Sequence, residues 1–240
     1  YEGCCKNSHR EGNGILYDEN ENKVYEGDWR LCMREGKGID YYEDGNIFYK
    51  GEWKTNKAEG KGISYYENGN KLYEGEWKND KYDGKGINYD ENGNKKYEGD
   101  FKNDKAEGKG IEYDIFGNKK YEGDFKNGYR EGKGISYLDN KKKEYDGDWK
   151  NDFYKKGILY YENGNKIYEG YFKTYLYRSL PEGKGISYYE NGNKCYEGEF
   201  SFGKREGKGI SYYKNGNKEY EGDFVNDKYE GKGKYIYENG

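Results

Sequence analysis

In Tyr73-Glu74-Gly75-Glu76-Trp77-Lys78 the aromatic residues fall at every second place, with charged residues and Gly between and around them. A period of two fits a β-strand with one buried face. Ile87-Asn88-Tyr89 resumes the alternation a few residues later. Asn79-Asp80-Lys81 lies between the two stretches and Asn92-Gly93-Asn94 comes after the second. Both are built from residues that tolerate positive φ, so both read as tight turns. Helix fits poorly, because Gly recurs at fixed internal places and each would cost about 1 kcal/mol in a helix interior. The pattern predicts a β-hairpin joined by a turn to the next segment of chain.

That next segment carries the same pattern again. A Tyr, one further residue and Gly open at Tyr1, Tyr25, Tyr49, Tyr73, Tyr97, Tyr121, Tyr145, Tyr168, Tyr196 and Tyr220, which makes ten repeats. Their spacing is 24 residues, except 23 after Tyr145 and 28 after Tyr168. With the first Tyr as position 1, Gly fills position 3 throughout, and position 5 holds Trp29, Trp53, Trp77, Phe101, Phe125, Trp149, Phe172, Phe200 and Phe224, with Cys5 in the first repeat. Gly, Lys, Gly, Ile, a variable residue and Tyr occupy positions 12 to 17, as in Gly60 to Tyr65.

Residues 1–240 therefore read as one continuous all-β array: an elongated, single-layer antiparallel meander of consecutive hairpins, twisted and grooved. Up to twenty strands at ~4.8 Å each would run ~95 Å. A lone hairpin is marginal, so stability must come from stacking each repeat on the next. The recurrent Gly leave room for a neighbouring ring or a close backbone, and they permit twist.

Composition sharpens this picture. Only 31% of the chain is hydrophobic and 38% is charged, a thin supply of core, but 33 Tyr and 4 Trp provide aromatic area in place of aliphatic. Disorder is the weaker reading, since the net charge is only −4. No apolar run approaches the length of a membrane-spanning helix. The four Cys have neither metal-ligand spacing nor a period, which points to a reducing compartment without disulfides. Near balance of 43 basic and 47 acidic residues disfavours nucleic acid as a partner.

Candidate chemistry is weak by the same logic. The carboxylates at positions 2 and 4, such as Glu74 and Glu76, recur in nearly every repeat, whereas a catalytic pair needs one special environment. They read as solvated ladders neutralised across strands by Lys at positions 6, 13 and 23. His9, the only His, has no companion and reads as a turn residue. No calcium loop or phosphate loop is present, so no metal, no cofactor and no catalytic residue is expected.

Binding is the better expectation. A single-layer sheet has no second layer to cover its rings, and exposed aromatic surface marks interaction sites. The candidate groove is lined by Trp29, Trp53, Trp77, Phe101, Phe125 and Trp149 with Tyr41, Tyr65 and Tyr89, and would take a helix or an extended peptide. A second candidate is the insertion in repeat eight, read as a protruding loop that offers Tyr175, Tyr177, Arg178 and Leu180. Core packing and a tolerated loop insertion are the plainer alternatives for the two sets.

A repeat such as Tyr73-Glu74-Gly75-Glu76-Trp77 followed by Gly84-Lys85-Gly86-Ile87 resembles a MORN repeat, the membrane occupation and recognition nexus, along the whole chain. The resemblance implies a non-enzymatic array used for protein assembly in cytoskeletal, ciliary, junctional or cell-cortex structures, with a debated role at phosphoinositide membranes. It also implies that such arrays are fused to enzymes, so a targeting module of an enzyme lying outside this segment is a further expectation. Besides Cys5 in repeat one and the shifted aromatic phase of Lys234-Tyr235-Ile236-Tyr237 in repeat ten, three consecutive repeats depart from the pattern. Repeat six closes with Lys141-Lys142, repeat seven lacks Gly at position 12, and repeat eight carries four extra residues and Pro181. A bend or a partner contact is expected between residues 139 and 183.

The sequence-based expectation is thus a cytoplasmic scaffold, cytoskeletal or ciliary, with protein partners along its aromatic groove and an anionic lipid surface as the alternative. The chain opens without Met and stops within a closing turn, so it is expected to be part of a longer one, with further repeats or a neighbouring chain covering the ends.

Overall fold

The structure, a computed structural model, describes residues 1–238. Among the described residues it contains twenty β-strands and no helix. The chain forms two compact bodies, one of residues 1–118 with 126–128, the other of residues 119–125 with those from 129 on. Within each body the strands form an antiparallel meander, every strand paired to its neighbours in sequence. Each repeat contributes one hairpin, as in Lys71–Lys78 paired with Lys81–Tyr89. The predicted meander of hairpins is the architecture that forms.

The turn inside the hairpin is shorter than the sequence suggests. Lys78 pairs with Lys81, leaving Asn79 and Asp80 as a two-residue loop with φ of 50° and 67°. Two successive positive φ values define a type I′ turn, whose twist matches that of the flanking strands. In the closing turn only Gly93 takes positive φ, at 85°. Repeat six, which lacks that Gly, places Lys141 there with φ 66°.

Register explains the glycines. Gly14 pairs with Gly27, Gly27 with Gly38, Gly38 with Gly51 and Gly51 with Gly62, so positions 3 and 14 build a row of Gly across the strands. The second body repeats it from Gly134 and Gly147 to Gly222 and Gly233. Over the Gly pair within each hairpin, such as Gly27 with Gly38, lies the position-1 Tyr, lying down along its own strand. Tyr25 donates to the carbonyl of Asp28 at 3.1 Å, and its ring fills the space that a Cβ on Gly27 or Gly38 would need. The row is thus a bed for phenol rings, the use expected of Gly in a packed sheet.

The position-12 Gly has a separate cause. In most hairpins three residues face one, as Glu206 to Lys208 face Glu199. Gly36, in the equivalent bulge, takes φ 66° and Lys37 N donates to Asp28 Oδ2 at 2.9 Å. Repeat seven has one residue fewer, and only Lys155 and Lys156 face Asp148. Its deletion shortens the bulge, and the position-12 Gly is the residue it does without. In repeat eight the four extra residues form no loop. They lengthen both strands, to Lys166–Tyr175 and Arg178–Tyr188, and the turn remains two residues, Leu176-Tyr177. The predicted loop is corrected to an extended hairpin, because Thr174 pairs with Ser179 and Lys173 with Leu180. The whole irregular stretch from 139 to 183 lies in the second body.

Candidate functional site

Position-1 and position-5 rings form a zigzag. Tyr25 meets Trp29 at 5.0 Å and Trp53 at 5.5 Å, and Tyr49 meets Trp53 at 5.1 Å and Trp77 at 5.0 Å, all edge to face. In the second body Tyr121 meets Phe125 and Trp149 in the same way. Offset and T-shaped contacts of this kind add roughly 0.5–1.5 kcal/mol each beyond burial. Burial of Tyr25, Tyr49 and Tyr73 raises their phenol pKa values strongly. The indole N–H of Trp29 donates to Gly14 O, of Trp77 to Gly62 O and of Trp149 to Gly134 O.

A residue that the repeat pattern did not single out covers this zigzag. Position 10 is Arg in some repeats and Tyr or Ala in others, and in repeat eight the register puts Pro181 there. The Arg34 guanidinium lies 5.0 Å over Tyr25 and 4.8 Å over Trp53, and Arg130 lies 4.8 Å over Tyr121 and 5.2 Å over Trp149. The Tyr82 ring stacks on Tyr73 at 3.7 Å, and Tyr154 stacks on Tyr145 at 4.0 Å. Cation–π contact and ring stacking are two chemistries for one task, covering a flat aromatic row. Because position 10 varies in type, no fixed residue marks it in the sequence.

Of the residues expected to line a groove, Trp29, Trp53, Phe101, Phe125 and Trp149 are buried. Trp77 is half-buried, and the position-10 residue of the preceding repeat is Ala58, too short to cover it. Tyr41, Tyr65 and Tyr89 do not join these rings. Position 3 pairs with position 14, so odd positions of a first strand share a face with even positions of the second, and position 17 falls on the opposite face. There Tyr41 donates to Glu26 at 3.2 Å and Tyr89 to Glu74 at 3.4 Å. The grouping of positions 1, 5 and 17 into one groove is therefore corrected: hairpin register separates them.

The opposite face carries the charge. Lys71 pairs with Glu74 at 2.7 Å, and Lys23 with Glu26 at 2.9 Å, along the same strand instead of across strands as expected. These bonds lower the Glu26 pKa and raise that of Lys71. Cross-strand pairs also form, Lys133 with Asp148 at 2.7 Å and Lys150 with Glu131 at 3.0 Å. In the first body Glu26, Lys37, Ile39, Lys50, Glu52 and Lys61 border an open trough of about 350 Å3 over the Gly row. No group of three or more His, Cys, Asp and Glu that could hold a metal occurs among the described residues.

Further carboxylates and amides staple one repeat to the next. Asp80 Oδ1 accepts from Ala58 N at 2.7 Å, and Glu59 accepts from Asn79 N at 3.0 Å. Tyr66 donates to Tyr89 O, and Asn68 and Asn70 both donate to Glu91 O. The Glu at position 11 and the Asp at position 8 thus belong to the fold. His9 opens the second strand of its hairpin, with Nδ1 2.7 Å from Asn7 O.

In repeat eight Leu176 and Tyr177 stand 92% and 89% exposed at the turn. Arg178 is exposed, and Tyr175 and Leu180 are half-buried. Tyr175 meets the ring of Phe202, itself exposed, at 4.4 Å.

Comparison with known families agrees with this geometry. The MORN repeat model matches residues 49–71, 73–95, 97–114, 121–141, 145–155, 196–218 and 220–240, more than half of the chain. A MORN repeat variant matches 34–55 and 181–201. Among curated proteins, none matches the chain.

Proposed function

Because the chain belongs to the MORN repeat family, we propose that it is a non-enzymatic scaffold that docks protein partners on its sheet faces within a larger assembly. The observation that carries this reading is the repetition itself. Candidate acids, bases and rings recur in phase and are engaged in staples, lids or ion pairs, which leaves side chains arrayed for contact. Accessible places for a partner are the position-10 lids, Trp77, the charged trough and the tip of repeat eight. The setting we propose is cytoplasmic, at cytoskeletal or ciliary structures, and it rests on family resemblance.

The test is chemical cross-linking of the purified chain in cell extract, read by mass spectrometry. A specific protein joined to lysines of consecutive repeats, such as Lys37, Lys61 and Lys85, is expected. Recovery of no specific protein would sink the reading. A second reading, an anionic lipid surface, is favoured by the outward reach of Lys85 and Lys133, whose side chains are 84% and 76% exposed. Co-sedimentation with phosphatidylserine vesicles at low salt checks it; an unbound chain under those conditions removes it.

A further inference from the structure

The hairpin of repeat eight differs from the others in its length and in the two large, exposed side chains at its turn. It is longer, its extra residues adding two strand pairs beyond the usual hairpin end. Its turn places Leu176 and Tyr177 at φ 43° and 71°, where repeats four and seven have Asn-Asp; repeat two has Leu31-Cys32 in the same backbone, with Leu31 56% exposed against 92% for Leu176. Left-handed backbone suits Asn, Asp and Gly and disfavours residues with larger side chains, so this turn holds two apolar residues against local preference. Local strain of this kind persists where the surroundings or a function require it.

The register also sorts the side chains. Tyr175 pairs with Arg178 and Lys173 with Leu180, which sets all four on one face of the hairpin. Phe202, from the next turn, extends that face through its contact with Tyr175. The Lys173 ammonium lies 5.2 Å over the Tyr175 ring. Residues 171–181 include no carboxylate, in a chain whose net charge is −4. The nearest acidic residue on the C-terminal side, Glu182, is engaged by Phe202 N at 3.1 Å. The tip is therefore apolar, aromatic and locally basic on an otherwise acidic molecule.

We propose that this lengthened hairpin is a plug that enters an apolar, acid-rimmed pocket on a protein partner. Leu176 and Tyr177 fill the pocket, and Lys173 and Arg178 meet the rim. A convex two-residue turn fits a concavity, and large aromatic residues with Arg are the composition of interface anchors. A bilayer is the weaker fit, because other turns of the same body carry Asp152 and Asp227, which an anionic surface would repel. The inference rests on the scaffold reading and names one of its docking sites.

The test uses the full chain and the protein partner recovered with it, purified. The L176N/Y177G variant restores ordinary turn chemistry, so its melting temperature should equal or exceed that of the parent. Its affinity for the partner should fall at least tenfold, and a K173E/R178E variant should lose as much and bind with weaker salt dependence. If both variants bind within twofold of the parent, the plug is overturned while the scaffold reading stands. Failure to recover any protein partner overturns both. Tip-dependent sedimentation with phosphatidylserine vesicles, without tip-dependent protein binding, overturns the plug in favour of a membrane contact.

Discussion

The ring of Tyr25 occupies the space that a Cβ on Gly38 would fill, one strand away. The relationship recurs with Tyr49 on Gly62, Tyr73 on Gly86 and Tyr196 on Gly209. It makes each Gly row and each Tyr column a single packing device. Gly38→Ala should therefore destabilise the surrounding hairpins by about 3 kcal/mol, through overpacking against a ring that has nowhere to move. Gly45→Ala is the control: its φ is 85°, but nothing lies within 4 Å, so only the backbone preference of about 1 kcal/mol is lost. Thermal unfolding of the two variants checks the difference.

The stacked Tyr82 should matter locally. Tyr82→Ala uncovers Tyr73 and Trp77 and should cost about 2 kcal/mol, from lost area and ring contact. In a repeat array that loss stays near its source. Hydrogen exchange should quicken in 71–89 and remain unchanged in the first hairpin, 2–17. Uniform quickening along the chain would contradict a nearest-neighbour array.

Asp80 serves two repeats at once. Its carboxylate accepts from Ala58 N at 2.7 Å while its own N–H donates to Ala58 O at 3.1 Å, and its φ is 67°. Asp80→Ala removes the acceptor and places Ala in left-handed backbone, for a loss of about 2 kcal/mol. Asp80→Asn keeps an acceptor oxygen and the tolerance for that φ, and should lose under half as much. Urea unfolding of both variants measures the ratio.

Alkali should unfold the array. Burial pushes the phenols of Tyr154 and Tyr196 up to about 12, and raises those of Tyr25, Tyr49 and Tyr73 further. In the unfolded chain a Tyr ionises near pH 10. Below that pH both states are neutral at these rings and the full stability is present. Above it the unfolded chain sheds protons that the folded chain retains, so stability falls as pH rises from about 10 toward the folded values. An ultraviolet titration followed with circular dichroism should show these phenols ionising together with loss of strand signal.

The fold was legible because the period, the alternation and the turn residues all pointed to one hairpin per repeat. The Tyr-on-Gly bed was legible only in outline: the sequence indicates that Gly makes room for a ring, but the register decides that Tyr25 fills the space over Gly38. The same register places Tyr41 beside Glu26, away from Trp29, a fact that alternation within one strand cannot supply. Position 10 escaped notice for a different reason. Arg34, Ala58 and Tyr82 share no chemistry, and a role filled by a guanidinium in one repeat and a phenol in another leaves no motif. Repeat eight misled by length, since extra residues suggest a loop until Thr174 and Ser179 are seen to pair.

If this array acts by contact along its faces, a bound protein must touch several repeats at once. Cross-linking mass spectrometry of the intact chain with its recovered protein partner reads that contact residue by residue. Cross-links to lysines of several consecutive repeats are expected, together with links near Lys173 at the lengthened hairpin. A chain that recovers no specific protein, or whose links scatter without repeat order, would contradict action by contact along the sheet.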